Sequence, residues 1–341
     1  MIDRFVGLVP CLPPGVHPGM DALADGLRYA LRDVGLSLMI ESADLRDDEP
    51  AVGQGRAIDT LVERGASAVV LFSVCLIEPA QAVASARTAG VPVVTIHHSA
   101  MPVDASLIVP NFAHGVALAV ALRDGLRHHR PPSPSSPPPS SRIPGNPRMP
   151  RMPRIPRIPR NPRIGVVGPP DILDDLEFIH GVLLGLNQSG LMACNDPLDS
   201  RYRNLADVAG EGTAAVEALL DDYDKLDGLV VFNDETLRDA LPLLEARGLL
   251  GRLPVVSRNG SPEIVAAVTR GEVHATFDYQ LPELGHAAGR LVLGVIRGEV
   301  GAGHAEAAPV GRVITRDHAG SYRSWSERVV PAGLLGTGGA P

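Results

Sequence analysis

Short apolar runs recur over the first hundred residues, at 5–9, 36–40, 68–72 and 91–96, with stretches of helical period between them. In the clearest of these stretches Met20, Leu23, Leu27, Leu31 and Val34 fall at three- and four-residue intervals. That spacing lines one face of a helix for burial on a sheet. Gly35, Gly65 and Gly90 each close a helical stretch just before the next apolar run, where a C-terminal cap favours a left-handed residue. Repetition of this kind predicts a parallel sheet with right-handed crossovers.

The grammar restarts at Ile164–Val167 and continues at Leu229–Phe232 and Pro254–Val256, each run again followed by a helical stretch. Two blocks of one architecture predict an α/β protein with two doubly wound parallel-sheet lobes rather than one long sheet. The 341 residues and 45% hydrophobic content can supply two cores. The scarcity of aromatics, 4%, suits helices packed on buried strands better than a β-sandwich.

Between the blocks, residues 131–141 are proline and serine, and residues 148–163 repeat an arginine every third position with prolines interleaved. Prolines at that spacing remove amide donors and favour an extended polyproline helix, so residues 130–163 are expected as a disordered, solvated insert. Its arginines would form one basic stripe, read either as a docking strip for an acidic surface or as a tolerated expansion of a surface loop.

Charge narrows the function. The eight arginines of the insert have no acid among them, so the rest of the chain is more acidic than the overall charge of −8, and nucleic acid is not expected as a partner. Cys11, Cys75 and Cys194 are an odd number without zinc-type spacing, so no disulfide framework or structural metal is indicated. No run of about 18 apolar residues is present to span a membrane. The start of the chain as given reads as a strand, with no export signal and no DNA-binding headpiece expected before Phe5.

A set of weak motifs then occurs in a meaningful order. His17-Pro18-Gly19-Met20 precedes a helix, Val91–Ile96 is a strand, and Val231-Phe232-Asn233-Asp234 ends another. Val255–Gly260, Ala275-Thr276 and Ile314-Thr315-Arg316-Asp317 follow. Together these resemble the type I periplasmic sugar-binding proteins. The resemblance implies two lobes joined by three crossings near Pro110–Asn111, Tyr279 and Ala308–Gly311, with one small polar ligand held between them. On that reading residues 1–110 and 280–308 form the first lobe, residues 111–279 and 309–320 the second, and 321–341 a tail.

The resemblance also implies a site. Position by position it falls on His17 and Met20 in the first loop, on Phe72 and Ser73 after the third strand, and on His97 and His98 after the fourth. In the second lobe it falls on Phe178, Asn233 and Asn259, and at the hinge on Tyr279 or Gln280. Nearly every charged position of the family is thereby exchanged for a neutral or titratable one, which implies a sugar alcohol, a modified sugar or a heterocycle rather than a common hexose. Asn233 is expected to meet ligand and Asp234 to cap the following helix.

Three histidines invite a metal reading, but His97 and His98 are adjacent on a strand and point to opposite faces, so no metal is expected. Neither a phosphate loop, a G-x-S-x-G elbow nor an H-E-x-x-H motif occurs, and no catalytic residue or cofactor is expected. The expected role is a monomeric solute-binding protein that closes on a sugar, polyol or related ligand and serves an ABC permease or membrane sensor. The resemblance places such a protein outside the cytoplasm. The alternative, a cytoplasmic effector domain of a lactose-repressor-type regulator, shares the fold.

Overall fold

The structure, a computed structural model, describes residues 4–13, 15–43, 50–77, 79–128, 161–205, 207 and 212–330. The Pro/Arg insert, apart from residues 161–163, and the tail beyond residue 330 lie outside the described residues.

In chain order the strands are β1 (Phe5–Val9), β2 (Ser37–Ile40), β3 (Val69–Phe72), β4 (Val93–Ile96), β5 (Ala105–Ile108) and β6 (Arg163–Val167). They continue as β7 (Met192–Ala193), β8 (Gly228–Val231), β9 (Val255–Asn259), β10 (Ala275–Asp278), β11 (His304–Ala307) and β12 (Arg312–Thr315). One sheet has the order β11-β5-β4-β3-β1-β2 and is parallel throughout. The other has the order β12-β10-β9-β8-β6-β7 and is parallel except for its edge pair β10–β12. The two sheets are the pair of doubly wound lobes that the alternating pattern predicts.

Helices cover both faces of each sheet, which is why the strands carry apolar residues without alternation. In the first lobe Leu8, Phe72 and Ile96 pack on α1 (Pro18–Arg32) and α9 (Leu281–Ile296). Phe5, Val9, Val69 and Leu71 pack on the opposite face against α2 (Pro50–Glu63) and α3 (Ala80–Thr88). The second lobe repeats the plan, with α4 (Asn111–His128) and α5 (Leu173–Gln188) on one face. The helices α6 (Gly212–Asp222), α7 (Asp234–Ala246) and α8 (Pro262–Arg270) cover the other. Each fully buried large side chain, such as Phe72 or Phe232, contributes about 1.5–3 kcal/mol. Among the described residues no helix is long and apolar enough to cross a membrane.

Two helix pairs approach through glycine. A Cβ at Gly285 of α9 would stand 2.0 Å from the Leu23 carbonyl oxygen of α1, and one at Gly115 of α4 would stand 2.1 Å from the Phe178 carbonyl oxygen of α5. The caps fall where the pattern puts them, since Gly35, Gly65 and Gly90 all have positive φ. Val34 is a correction: α1 ends at Arg32, and Val34 is exposed in the turn that follows.

The chain passes between the sheets at 109–110, at 279–280 and at 308–311. Side chains tie these passages together. The Tyr279 hydroxyl donates to Asn111 Oδ1 at 2.8 Å, and Gln280 Nε2 donates to the Val310 carbonyl at 2.6 Å. The chain then crosses a fourth time. After α10 (Arg316–Ala319), Tyr322 packs with Val265 and Ile314 of the second lobe and donates to the Gly260 carbonyl at 2.7 Å. The next helix, α11 (Trp325–Val329), returns Trp325 to the core of the first lobe.

Candidate functional site

The carboxyl ends of the strands in both sheets face one cavity, the usual location of a site in an open α/β sheet. Phe72 ends β3, Asn259 ends β9, Tyr279 directly follows β10, and Asn233 follows β8 after Phe232. Together with Cys11, His17, Met20, Asp174, Asp175, Asp207 and Arg258 they line the cavity. The space between its walls is about 370 Å³ including the mouth. His17 of the first lobe stands 3.4 Å from Glu235 of the second, so the lobes are closed on each other.

His17 caps α1, its Nδ1 accepting from the Gly19 N–H at 3.1 Å. Its Nε2 reaches across the gap to Glu235 at 3.4 Å and Asp207 at 3.6 Å. Burial alone would lower the ring's pKa, but these two carboxylates outweigh it and push it up to about 9. The geometry opposes a second proton, because Nδ1 must keep its lone pair to hold the cap. With that cap in place the ring is neutral and donates from Nε2.

On the opposite wall Arg258 is buried at the end of β9, its guanidinium bonded to Asp175 and 3.8 Å from Asp174. Burial works against the charge on Arg258, but the two carboxylates more than compensate, so it stays protonated. Asp174 and Asp175 lie in the first turn of α5, where the helix dipole favours negative charge. Burial and the neighbouring Asp174 nevertheless push Asp175 up to about 7 against the pull of Arg258. Burial likewise raises Asp207 to about 7 against the pull of His17, although Asn233 Nδ2 donates to it at 2.7 Å. Glu235 is held below its ordinary value: burial raises it, but His17 and the Asn259 amide, which donates at 2.7 Å, prevail.

Behind this wall a polar chain joins pocket to hinge. Asn111 accepts from Tyr279 and its Nδ2 donates to His97 Nδ1 at 3.0 Å, which leaves the His97 proton on Nε2, 3.8 Å from Asp174. Burial, then Arg258, lowers the His97 pKa to about 3, so the ring is neutral. Four of the five non-glycine residues with positive φ among the described residues are His97, Asp207, Asn259 and Gln280, all at the site or the hinge. Backbone strain of that kind gathers where side chains must be aimed.

Of the residues expected from sequence, His17, Met20, Phe72, Asn233, Asn259 and Tyr279 come together on the cavity wall. The others do not. Ser73 is turned to the Cys75 carbonyl, His97 stands behind the wall in the chain to Tyr279, and His98 is exposed; both histidines lie beyond the end of β4 at Ile96 and not on the strand as expected. Phe178 lies beneath Arg258, and Gln280 is spent on the hinge carbonyl of Val310. Asn233 lines the cavity as expected, but the cap expected of Asp234 falls to it as well. Asn233 caps α7 through the Thr236 N–H, while Asp234 is sequestered by Ser257, the Ser261 N–H and Thr276.

The larger correction concerns charge. The expectation of a pocket stripped of fixed charges is overturned by Asp174, Asp175, Asp207, Glu235 and Arg258, all buried around it. Arg258 follows the run Val255-Val256-Ser257 within β9, and a doublet of acids opening a helix after a strand is a visible signal. Among the described residues no group of three or more His, Cys, Asp or Glu is arranged to hold a metal ion.

Several buried polar atoms at this wall have no hydrogen-bond partner among the described residues: Asp174 Oδ1, Glu235 Oε1, and Arg258 Nε and Nη1. A free carboxylate oxygen and two free guanidinium donors at one cavity are fit to receive a ligand that both donates and accepts.

The sequence profile of the periplasmic binding protein domain matches residues 11–299. No curated protein matches the chain by sequence. Among solved structures it is similar to an ABC transporter periplasmic solute-binding protein from Actinobacillus succinogenes with bound D-allose. That match has 13% identity and a TM-score of 0.73 over 94% of this chain and 100% of the other. It is also similar to an ABC transporter solute-binding protein from Mycobacterium smegmatis with bound glycerol, at 18% identity and a TM-score of 0.72 over 93% and 96%. A third is the Caulobacter myo-inositol binding protein bound to myo-inositol, at 16% identity and a TM-score of 0.71 over 94% and 96%.

Proposed function

The chain belongs to the periplasmic binding protein domain family, and from that premise we propose that it is a solute-binding protein that captures one sugar- or polyol-like molecule for an ABC-type uptake system. The observation that carries this reading is the set of buried, unpartnered polar atoms on Asp174 and Arg258, facing a cavity walled by both lobes. Leaving such groups bare costs about 1–3 kcal/mol each, a cost that a polyhydroxylated ligand removes.

The mechanism follows from where the walls are anchored. His17, Met20 and Phe72 belong to the first lobe, and Asp174, Asn233, Arg258 and Asn259 to the second. A ligand touching both sets stabilises the closed arrangement over an open one by its differential contacts, and the passages at 109–110, 279–280 and 308–311 serve as the pivot. The closed outer surface is then what a permease recognises, which places the protein outside the cytoplasm. The solute-binding proteins to which the chain is similar support this reading over a regulator's effector domain.

A thermal-shift screen of sugars, polyols and nucleosides tests it, combined with small-angle scattering. A true ligand at one hundred times its Kd stabilises the fold by about 2.7 kcal/mol and contracts the radius of gyration. No stabilisation by any sugar or polyol, or binding without contraction, would overturn the proposal.

A further inference from the structure

The charge in the cavity does not balance. Asp174, Asp175, Asp207 and Glu235 are each at most 6% exposed, and they face one buried arginine, Arg258, and one histidine, His17. Even with His17 protonated, two negative charges remain without a partner of opposite sign. The other titratable groups close by add no positive charge. His97 is neutral, and burial raises the Cys11 thiol and the Tyr279 hydroxyl well above their ordinary values. Hydrogen bonds account for part of the excess. Asp207 Oδ1 accepts from Asn233, Glu235 Oε2 accepts from Asn259, and Asp175 is bonded to Arg258. They leave Asp174 Oδ1 and Glu235 Oε1 with no partner, at two different places around the cavity.

Uncompensated buried carboxylates are among the costliest features a fold can carry, and they are neutralised either by protons or by a cation. A neutral polyol supplies hydroxyl donors but no charge. A protonated amine supplies both, with up to three donors for the bare oxygens. The free donors of Arg258, Nε and Nη1, demand acceptors, which a simple polyamine lacks and a hydroxyl or ring oxygen provides.

Resting on the solute-binding reading above, we infer that the ligand is an amino sugar or amino polyol, its ammonium group held by Asp174 and its hydroxyls by Arg258. In the ligand-free protein, protons on the carboxylates take the place of that ammonium, and binding releases them.

Calorimetric titration of the full chain at pH 7 with matched pairs tests this: glucosamine against glucose and N-acetylglucosamine, and an aminodeoxyinositol against myo-inositol. The amine of at least one pair is expected to bind tenfold or more tighter than its hydroxyl and acetylated counterparts. Its binding enthalpy should vary with the ionisation heat of the buffer, reporting released protons. In Asp174→Asn the amine should lose tenfold or more, and with it its advantage over its hydroxyl counterpart. Hydroxyl compounds that bind as tightly as their amines overturn the inference and leave the solute-binding reading standing. Binding by no member of any pair removes both.

Discussion

The guanidinium carbon of Arg258 lies 4.6 Å from the centre of the Phe178 ring, which forms a floor beneath the buried cation of the cavity. The aromatic face and the two aspartates hold the arginine in one orientation, with Nε and Nη1 left to ligand. Arg258→Leu strands Asp174 and Asp175 without their cation, and denaturant unfolding at pH 7 should show a loss on the order of 3–5 kcal/mol. At pH 5, where Asp175 is protonated, the loss should shrink. Equal losses at both pH values would dissociate Arg258 from these carboxylates.

Stability of the ligand-free protein should fall as pH rises from about 4 to 7. Asp175 and Asp207 keep their protons to about pH 7 when folded but release them near 3.8 when unfolded, so the folded state binds more protons across that window. His97, lowered to about 3, opposes it between pH 3 and 6.5, because there the unfolded state binds the extra proton. Melting temperatures across pH 4–7 should decline less steeply in Asp207→Asn than in the parent, and parallel curves would contradict the account.

Tyr279→Phe removes the hydroxyl that joins two hinge passages and leaves Asn111 Oδ1 without a donor in a buried position. A cost of about 1–3 kcal/mol is expected from denaturant titration. The pivot should also loosen, so the ligand-free variant should show a larger radius of gyration in scattering. An unchanged radius would mean that the bond does not restrain opening.

Backbone contact between paired helices leaves no room for a methyl group. Gly285→Ala and Gly115→Ala should each lower the denaturation midpoint by an amount corresponding to about 1–3 kcal/mol or more, since the obstacle is a carbonyl oxygen and not a movable side chain. Gly301→Ala serves as the comparison, because nothing lies within 4 Å of its Cβ position. Similar midpoints for all three would refute the close approach.

The period of apolar residues carried the fold, because a buried parallel strand and the helices beside it leave a signature that depends on neighbours in sequence alone. The site was legible only in part. His17, Asn233 and Asn259 could be placed from motif order, but Arg258 could not, since an arginine's default is the surface and only tertiary packing over Phe178 reveals its burial. Asp174 and Asp175 read as ordinary acids at a helix start, and nothing local says that Arg258, 83 residues further along, closes on them. The cap of α7 was not legible because either Asn233 or Asp234 can cap; the choice rests on Ser257 and Thr276, which come from other strands and draw Asp234 away.

The return of the chain end to the first lobe carries a mechanical consequence. With Tyr322 moored to Gly260 on one side, Trp325 sunk in the core of the other, and Arg328 clasping Asp278 and Glu283 beside the second passage, any swing of the lobes must stretch this rein or unseat one of its anchors. The travel available to the molecule is thus rationed at its extremity, and trimming the chain before Tyr322 would widen the gape and quicken the coming and going of solute.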